Sequence, residues 1–284
     1  MLDLHIHSTA SDGSYTPTQI VQMAKKQGFS LIAVTDHDTM GGIKEAVEAG
    51  KKYGVQVIPG VEISAGVELE VHMLAYGISP DDPTMIAMLE DMSQARVERM
   101  LGIIENLRRL GIDITREEVE AKADGVIGRP HIARVLIEHG VVPDVRTAFR
   151  EYIGVGAKAY QERRKMTVEQ VIGNIRKAGG IPVLAHGGLL KLTETALNEW
   201  IDIMTRQGMM GLECYHNAHT PAMNAVLRSA AQRNDLLVTG GSDFHGLARP
   251  DIVLGSGLSS WSDCQVCRGR LLKALETNAK QTNS

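Results

Sequence analysis

Cysteine and aromatic residues are scarce in this chain, which holds three cysteines and 4% aromatics among 284 residues. Cys214, Cys264 and Cys267 form an odd set, and Cys264-x-x-Cys267 has no second cysteine or histidine pair to complete a zinc knuckle. They read as small apolar residues plus a partly exposed thiol. Long hydrophobic runs are missing too, since no window approaches the roughly 18 apolar residues of a membrane span. The amino terminus opens directly into strand-like Leu2–Ile6, with no cationic region and no leader-length apolar stretch. The expectation is a cytoplasmic protein in a reducing compartment, with no membrane role. Neither charge dominates: 30 Lys and Arg against 34 Asp and Glu give a net charge of -4. That balance argues against a nucleic-acid binder held by bulk electrostatics, although it leaves room for a local basic patch. Internal repeats and low-complexity tracts are also lacking, and no protein partner is evident.

What is present is a rhythm. From residue 1 to about 77, short β-branched runs alternate with helical stretches, as in β/α units. Leu2–Ile6 precedes a helix near Pro17–Gln27, with Thr16 as cap and Pro17 in the first turn. Phe29–Thr35 is a nearly continuous apolar strand, followed by a helix over Met40–Tyr53. The strands Gln56–Ile63 and Leu69–Tyr76 are separated by five residues, too few for a parallel crossover, so they should form a hairpin. From about 83 to 165 strand-like runs vanish and helical spacing takes over, with one long helix ending at Gly111. Thr115-Arg-Glu-Glu118 is a capping box, and Pro130–Gly140 and Pro143–Gly154 supply two more helices. The β/α rhythm then resumes to a terminal helix from about Ser262. The expected organisation is a barrel-like domain in two parts, 1–82 and 166–284, interrupted by a helical insertion over 83–165.

Carboxylates and imidazoles recur where strands should run out. His5 and His7, two apart at the end of the first strand, share a face and can grip one ion. Asp36-His-Asp38 follows an apolar strand, where β/α barrels carry their active sites; His37 is the expected ligand. Asp36 and Asp38 have lesser options, orienting imidazoles or capping the next helix. Glu62 is flanked by apolar residues in a strand with no adjacent cation. A carboxylate there must pair, change protonation state or bind metal, and its two oxygens can bridge two ions. Asp243 and His245 follow another apolar run behind Gly240-Gly-Ser242, small residues that permit close approach. Taken singly, His72 and His186 read as hydrogen-bonded core histidines, and Asp12 lies in an ordinary Ser-Asp-Gly-Ser turn. Crowding so many such groups is costly without cations, so a buried polynuclear site for zinc, manganese or iron is expected.

In order along the chain, His5-x-His7-Ser-x-x-Ser-Asp12-Gly, Thr35-Asp-His-Asp38, Pro59-Gly-x-Glu62, His72, Ala185-His186 and Ser242-Asp-x-His245 resemble the PHP (polymerase and histidinol phosphatase) family. The helical insertion, with Gly128-Arg-Pro-His131, resembles its branch of bacterial 3′,5′-nucleotide bisphosphate phosphatases and 5′-to-3′ exoribonucleases. The resemblance implies an α/β fold, a distorted (β/α)7 TIM-like barrel, with two to three divalent ions. It implies one ion held by His5, His7, Glu62 and Asp243, a second by Glu62, His72 and His186, and a third by Asp12, His37 and His245. Some relatives carry histidine at position 12. The implied reaction is hydrolysis of a nucleotide phosphate monoester by water, with Asp243, His245 and His37 as catalytic residues.

For the substrate, Arg129 and His131 flank Pro130 at a helix start, where free amides and the helix dipole favour an anion such as a second phosphate. The alternative is that Arg129 caps its helix or pairs with Glu117 and Glu118. Arg134 is a further candidate, and Asn217 and His219 follow a strand on the catalytic side. The expected partner is a small phosphorylated nucleotide or a short RNA. Hydrolysis of C–N bonds is a rival for such barrels, but it usually relies on a strand-end lysine, carbamylated, or aspartate as base, and no strand-end lysine is visible. A nucleic-acid-binding module with a structural metal is the non-enzymatic rival; structural zinc sites are closed and often thiolate-rich, unlike this donor set.

Overall fold

A computed structural model describes residues 1–67, 69–123, 126–257 and 261–282, apart from the side chains of 261–267 and 279–282. Cys264 and Cys267, read above among small apolar residues and a partly exposed thiol, therefore lie outside the described side chains. Two compact units are distinguished: Met1–Met88 with Met166–Ser284, and Leu89–Lys165.

The first unit is built on seven strands, β1 (Leu2–Ile6), β2 (Leu31–Val34), β3 (Gln56–Ala65), β4 (Val71–Tyr76), β5 (Ile181–Leu184), β6 (Gly211–His216) and β7 (Leu237–Gly241), paired in sequence order. Pairing is parallel except at β3–β4 and β4–β5, which are antiparallel. The short connection predicted the first of these, because a tight turn can only reverse the chain. Helices α1 (Pro17–Lys26) and α2 (Ile43–Tyr53) supply parallel crossovers between the early strands. Thr16 starts α1 through a capping box with Gln19, and Pro17 gives up no hydrogen bond at the first turn.

β1 and β7 meet to make the sheet barrel-like and nearly closed. Asp243 N donates to His5 O at 2.9 Å, and His7 N donates to Phe244 O at 2.9 Å. A Cβ at Gly241 would lie 2.3 Å from His5 Cβ, so only glycine admits this approach. Inside, Leu2, Leu4, Leu31, Ile58, Leu74, Tyr76, Val183 and Leu237 form one buried cluster contributed by six strands. The Tyr76 hydroxyl crosses this interior to donate to Leu4 O at 2.8 Å. Ile6, by contrast, packs outward with Ile20, Val21 and Ala24 of α1. The pairing register of β1 shifts between Asp3 and Ile6, and with period-two alternation such a shift flips every later side chain. His5 and His7 consequently face inward although Leu2 and Leu4 do as well.

The second unit includes most of α3 (Pro83–Arg109), then α4 (Arg116–Glu120), α5 (Arg129–Glu138) and α6 (Val145–Ala148). It has its own core, in which Met100, Ile103, Ile104 and Leu107 meet Val119, Ile132, Leu136 and Ile153. The helix expected over Pro143–Gly154 is shorter: α6 has four residues and passes into a π-helical turn at Phe149–Ile153. α7 (Val168–Lys177), α8 (Glu194–Arg206), α9 (Pro221–Arg233) and α10 (Trp261–Thr282) complete the first unit. Among the described residues no helix is long and apolar enough to cross a membrane.

Candidate metal centre

Glu62 sits where β3 meets the segment after β2. Its backbone is fixed there by Glu62 N donating to Asp36 O at 3.1 Å and Asp38 N donating to Glu62 O at 2.8 Å. Five imidazoles surround its fully buried carboxylate. Oε2 lies 2.9 Å from His37 Nδ1, 3.2 Å from His5 Nε2 and 3.3 Å from His7 Nε2. Oε1 lies 2.8 Å from His72 Nδ1 and 2.9 Å from His186 Nε2. Asp243, in a left-handed backbone conformation after β7, brings Oδ1 to 3.2 Å from His7 Nε2 and 3.6 Å from His5 Nε2. Asp12 Oδ1 reaches His245 Nε2 at 3.3 Å and His7 Nδ1 at 3.7 Å, and its Oδ2 lies 4.0 Å from His37 Nε2.

Three groups of donors emerge: His5, His7, Glu62 and Asp243; His37, Glu62 and His72; and His7, Asp12, His37 and His245. All nine residues expected as ligands are thus brought to one end of the barrel, His186 joining through Glu62 Oε1 and at 5.2 Å, ring to ring, from His72. His7 belongs to two groups rather than one.

The donor set fits divalent ions for a geometric reason. His5 Nε2, both ring nitrogens of His7, Glu62 Oε2 and His245 Nε2 are buried and make no hydrogen bond, although several lie about 3.2 Å from one another. Such atoms point at a common centre instead of at each other. Ligands held at about 2.0–2.2 Å from a metal stand roughly 3–3.5 Å apart. Leaving these atoms without an ion would cost their full desolvation.

The electrostatics agree. Burial alone would push the His7 imidazole down, but the Asp243 and Glu62 carboxylates outweigh it and hold His7 at about 9. Burial would push Glu62 up, yet His37, His5 and His72 hold it well below the usual carboxylate range. Asp243 is likewise held low, against its burial, by His216 and His7. Burial lowers His245, with Asp12 opposing.

Behind the ligands stand Asp36 and Asp38, which the sequence offered in a supporting role, and Asp3, Glu213 and Arg249, which it did not single out. Asp36 accepts from Ser8 N, Ser8 Oγ and Ser11 Oγ, each at 2.7 Å, which fixes the loop after His7. Asp38 accepts from Ser64 N at 2.7 Å. Asp3 accepts from Ser242 Oγ at 2.6 Å and Gly255 N at 2.7 Å, steadying the turn before Asp243. Glu213, buried on β6, lies 3.0 Å from His5 Nδ1 and accepts from His186 N at 2.6 Å. Arg249 Nη1 reaches Asp243 Oδ2 at 2.6 Å. His216, which proves to be the last residue of β6, is buried with Nε2 3.5 Å from Asp243 Oδ2.

The expected substrate contacts fare differently. His219 uses both ring nitrogens on backbone: Nε2 accepts from Gly188 N at 3.1 Å, and Nδ1 lies 3.4 Å from Cys214 O. It braces the loop after His186. The Asn217 side chain donates to Ser242 O. In the helical unit, His131 Nδ1 accepts from Gly128 N at 3.0 Å and so caps its own helix. Arg129 neither caps nor pairs with Glu117 or Glu118; it stacks over Phe149 and donates to Ile153 O at 3.3 Å. Arg134 is exposed. Arg99 was not foreseen: burial, together with Arg129, Arg163 and Arg96, pushes it down to about 9. Four arginines therefore crowd together within this unit.

Comparison with known proteins places these observations. The PHP domain profile matches residues 3–214. Over 244 residues the chain is 35% identical to a 5′-3′ exoribonuclease of Haemophilus influenzae, covering 86% of this chain and 89% of the relative. It is 34% identical over 247 residues to a 3′,5′-nucleoside bisphosphate phosphatase of Chromobacterium violaceum, covering 86% and 87%. A crystal structure assigned as a metal-dependent phosphoesterase from Bifidobacterium adolescentis superposes with a TM-score of 0.79 at 34% identity, covering 95% of this chain and 96% of that one.

Proposed function

The chain belongs to the PHP domain family of phosphoesterases, and on that premise we propose that it removes the 3′-phosphate from nucleoside 3′,5′-bisphosphates, leaving a 5′-nucleotide. The observation that carries this reading is the Glu62 carboxylate, whose two oxygens face two separate sets of imidazoles as a bridge between ions would. Bound divalent ions would polarise the phosphoryl oxygens and lower the pKa of a ligated water. We assign His5, His7, Glu62 and Asp243 to one ion, Glu62, His72 and His186 to a second, and Asp12, His37 and His245 to a third. Manganese, zinc and iron all suit this mixture of imidazole and carboxylate.

The protein's own contribution is positioning and charge. His37, Asp243 and His245 face the reacting phosphoryl group and act on it as well as holding ions. His216 Nδ1 accepts from Ala218 N at 3.1 Å, so its neutral ring carries the proton on Nε2, facing Asp243 Oδ2. No side-chain nucleophile is needed, because water attacks phosphorus in line with the departing 3′-oxygen. Within the helical unit, Arg129 is the foremost candidate for a phosphate-binding cation. Burial first, and then the charges of Arg129, Arg163 and Arg96, hold Arg99 down, and an anion bound among these arginines would offset the second of these causes.

Likeness to the Haemophilus influenzae exoribonuclease favours a second reading, cleavage of short 5′-phosphorylated RNA from its 5′ end. Both substrates present a 5′-phosphate. Product analysis with adenosine 3′,5′-bisphosphate, AMP and a 5′-phosphorylated trinucleotide separates them. The first reading expects phosphate and AMP from the bisphosphate, no phosphate from AMP and slow attack on RNA. Rapid release of mononucleotides from RNA with little bisphosphate turnover would replace it by the second.

A further inference from the structure

Glu213 lies inside the barrel, only 1% exposed, at a place where the pairing of β6 with β7 shifts register between Glu213 and Tyr215. A buried carboxylate of this kind needs partners that repay its desolvation. Among the described residues both of its hydrogen bonds run to expected metal ligands. Oε1 sits 3.0 Å from His5 Nδ1, and Oε2 accepts the backbone N–H of His186 at 2.6 Å.

Each bond has a consequence for the ligand it holds. A carboxylate facing His5 Nδ1 fixes a proton on that nitrogen, which leaves the Nε2 lone pair turned toward Glu62 Oε2 and Asp243 Oδ1 at 3.2 and 3.6 Å. His186 occupies a left-handed backbone conformation, φ 29° and ψ 50°, which a side chain with a Cβ adopts only under constraint. The short bond to Glu213 supplies that constraint and aims the His186 ring so that Nε2 lies 2.9 Å from Glu62 Oε1.

We propose that Glu213 is a positioning residue that fixes, with one carboxylate, the tautomer of His5 in one ion site and the backbone of His186 in the neighbouring one. The two sites are therefore set together and not independently. This rests on the metal-centre reading above.

Glutamine at position 213 keeps the shape but offers a single acceptor. If its oxygen serves His186 N–H, its amide donates to His5 Nδ1 and drives the His5 proton onto Nε2, where it blocks ligation. The test is Glu213→Gln in the full chain, with Mn²⁺ and Zn²⁺ binding followed by calorimetry after demetallation and by metal content after reloading. The proposal expects a parent-like thermal midpoint without metal and a 10- to 100-fold loss of affinity that starts at the ion His5 helps to hold and passes to the second ion through Glu62, which serves both sets. Parent-like affinity overturns it, and so does a loss confined to one ion. A parent protein that takes up no divalent ion sinks the metal-centre reading itself, which is a separate outcome. Should Glu213→Gln not fold, ring-¹⁵N spectra of the zinc-loaded parent, assigned with His5→Gln, decide the matter. A His5 proton on Nδ1 is expected, and a proton on Nε2 overturns the proposal.

Discussion

Arg249 Nη1 lies 2.6 Å from Asp243 Oδ2, while the other carboxylate oxygen turns to His7 Nε2 at 3.2 Å. The two oxygens of Asp243 thus serve different partners. Arg249 is 46% exposed, so the same guanidinium that holds a ligand carboxylate is also open to solvent at the mouth of the site. A guanidinium there both orients Asp243 and adds positive charge where a phosphoryl group reacts.

Replacing Arg249 by alanine is expected to lower kcat/KM for phosphate monoesters about 10- to 30-fold, or roughly 1.4–2 kcal/mol of transition-state stabilisation. Lysine should recover part of the loss, since it restores the charge without the fixed fork. Steady-state phosphate release by the two variants checks this, and parent-like kinetics for Arg249→Ala would remove the residue from the site.

The carboxylates and His7 also set how the demetallated protein responds to pH. Glu62 and Asp243 are held below their ordinary range, so the stability they contribute is present above about pH 4.5 and is lost as pH falls further. His7 is held up at about 9, so its contribution is full below about pH 6.5 and disappears as pH rises through about 9. These three groups give the demetallated chain its greatest stability between roughly pH 4.5 and 6.5, and His245, held down by burial, draws that optimum toward the upper end. Thermal midpoints measured from pH 4 to 10 in the presence of chelator check this; a midpoint that keeps rising to pH 9 would contradict it.

Arg129 provides the substrate-side prediction. Its guanidinium rests on Phe149 at 5.3 Å and among other arginines, so alanine should cost little in folding but remove a phosphate contact. The expected result is a KM for adenosine 3′,5′-bisphosphate raised about 10- to 100-fold with kcat nearly unchanged, the pattern of lost uniform binding. Equal kinetics for variant and parent would take Arg129 out of the recognition set.

Much of this molecule is written in local pattern. The apolar run Leu31–Val34, fully buried, announces a parallel strand, and the five residues before Leu69 force the β3–β4 hairpin. His5, His7, His37, Asp243 and His245 were legible because they stand where strands should run out, and Glu62 because it has no adjacent cation, whereas Asp12, His72 and His186 were implied only by the family resemblance. What could not be read depends on contacts far apart in sequence. Glu213 looks like one polar residue in a strand until His5, 208 positions away, is seen against it. The committed ring of His219 depends on the loop containing Gly188, 31 positions earlier. The inward turn of both Leu4 and His5 comes from a shift in pairing register, which alternation alone hides. The arginine cluster gathers residues 96, 99, 129 and 163, which no single motif links.

The central claim is that buried nitrogen and oxygen donors around Glu62 hold the ions on which phosphoester hydrolysis depends. The most direct measurement strips the purified protein of metal, then titrates Mn²⁺ or Zn²⁺ while recording phosphate release from adenosine 3′,5′-bisphosphate and circular dichroism. Activity should vanish on stripping with the fold retained, and return in step with at least two bound equivalents per chain. Undiminished hydrolysis by fully demetallated protein would contradict the account.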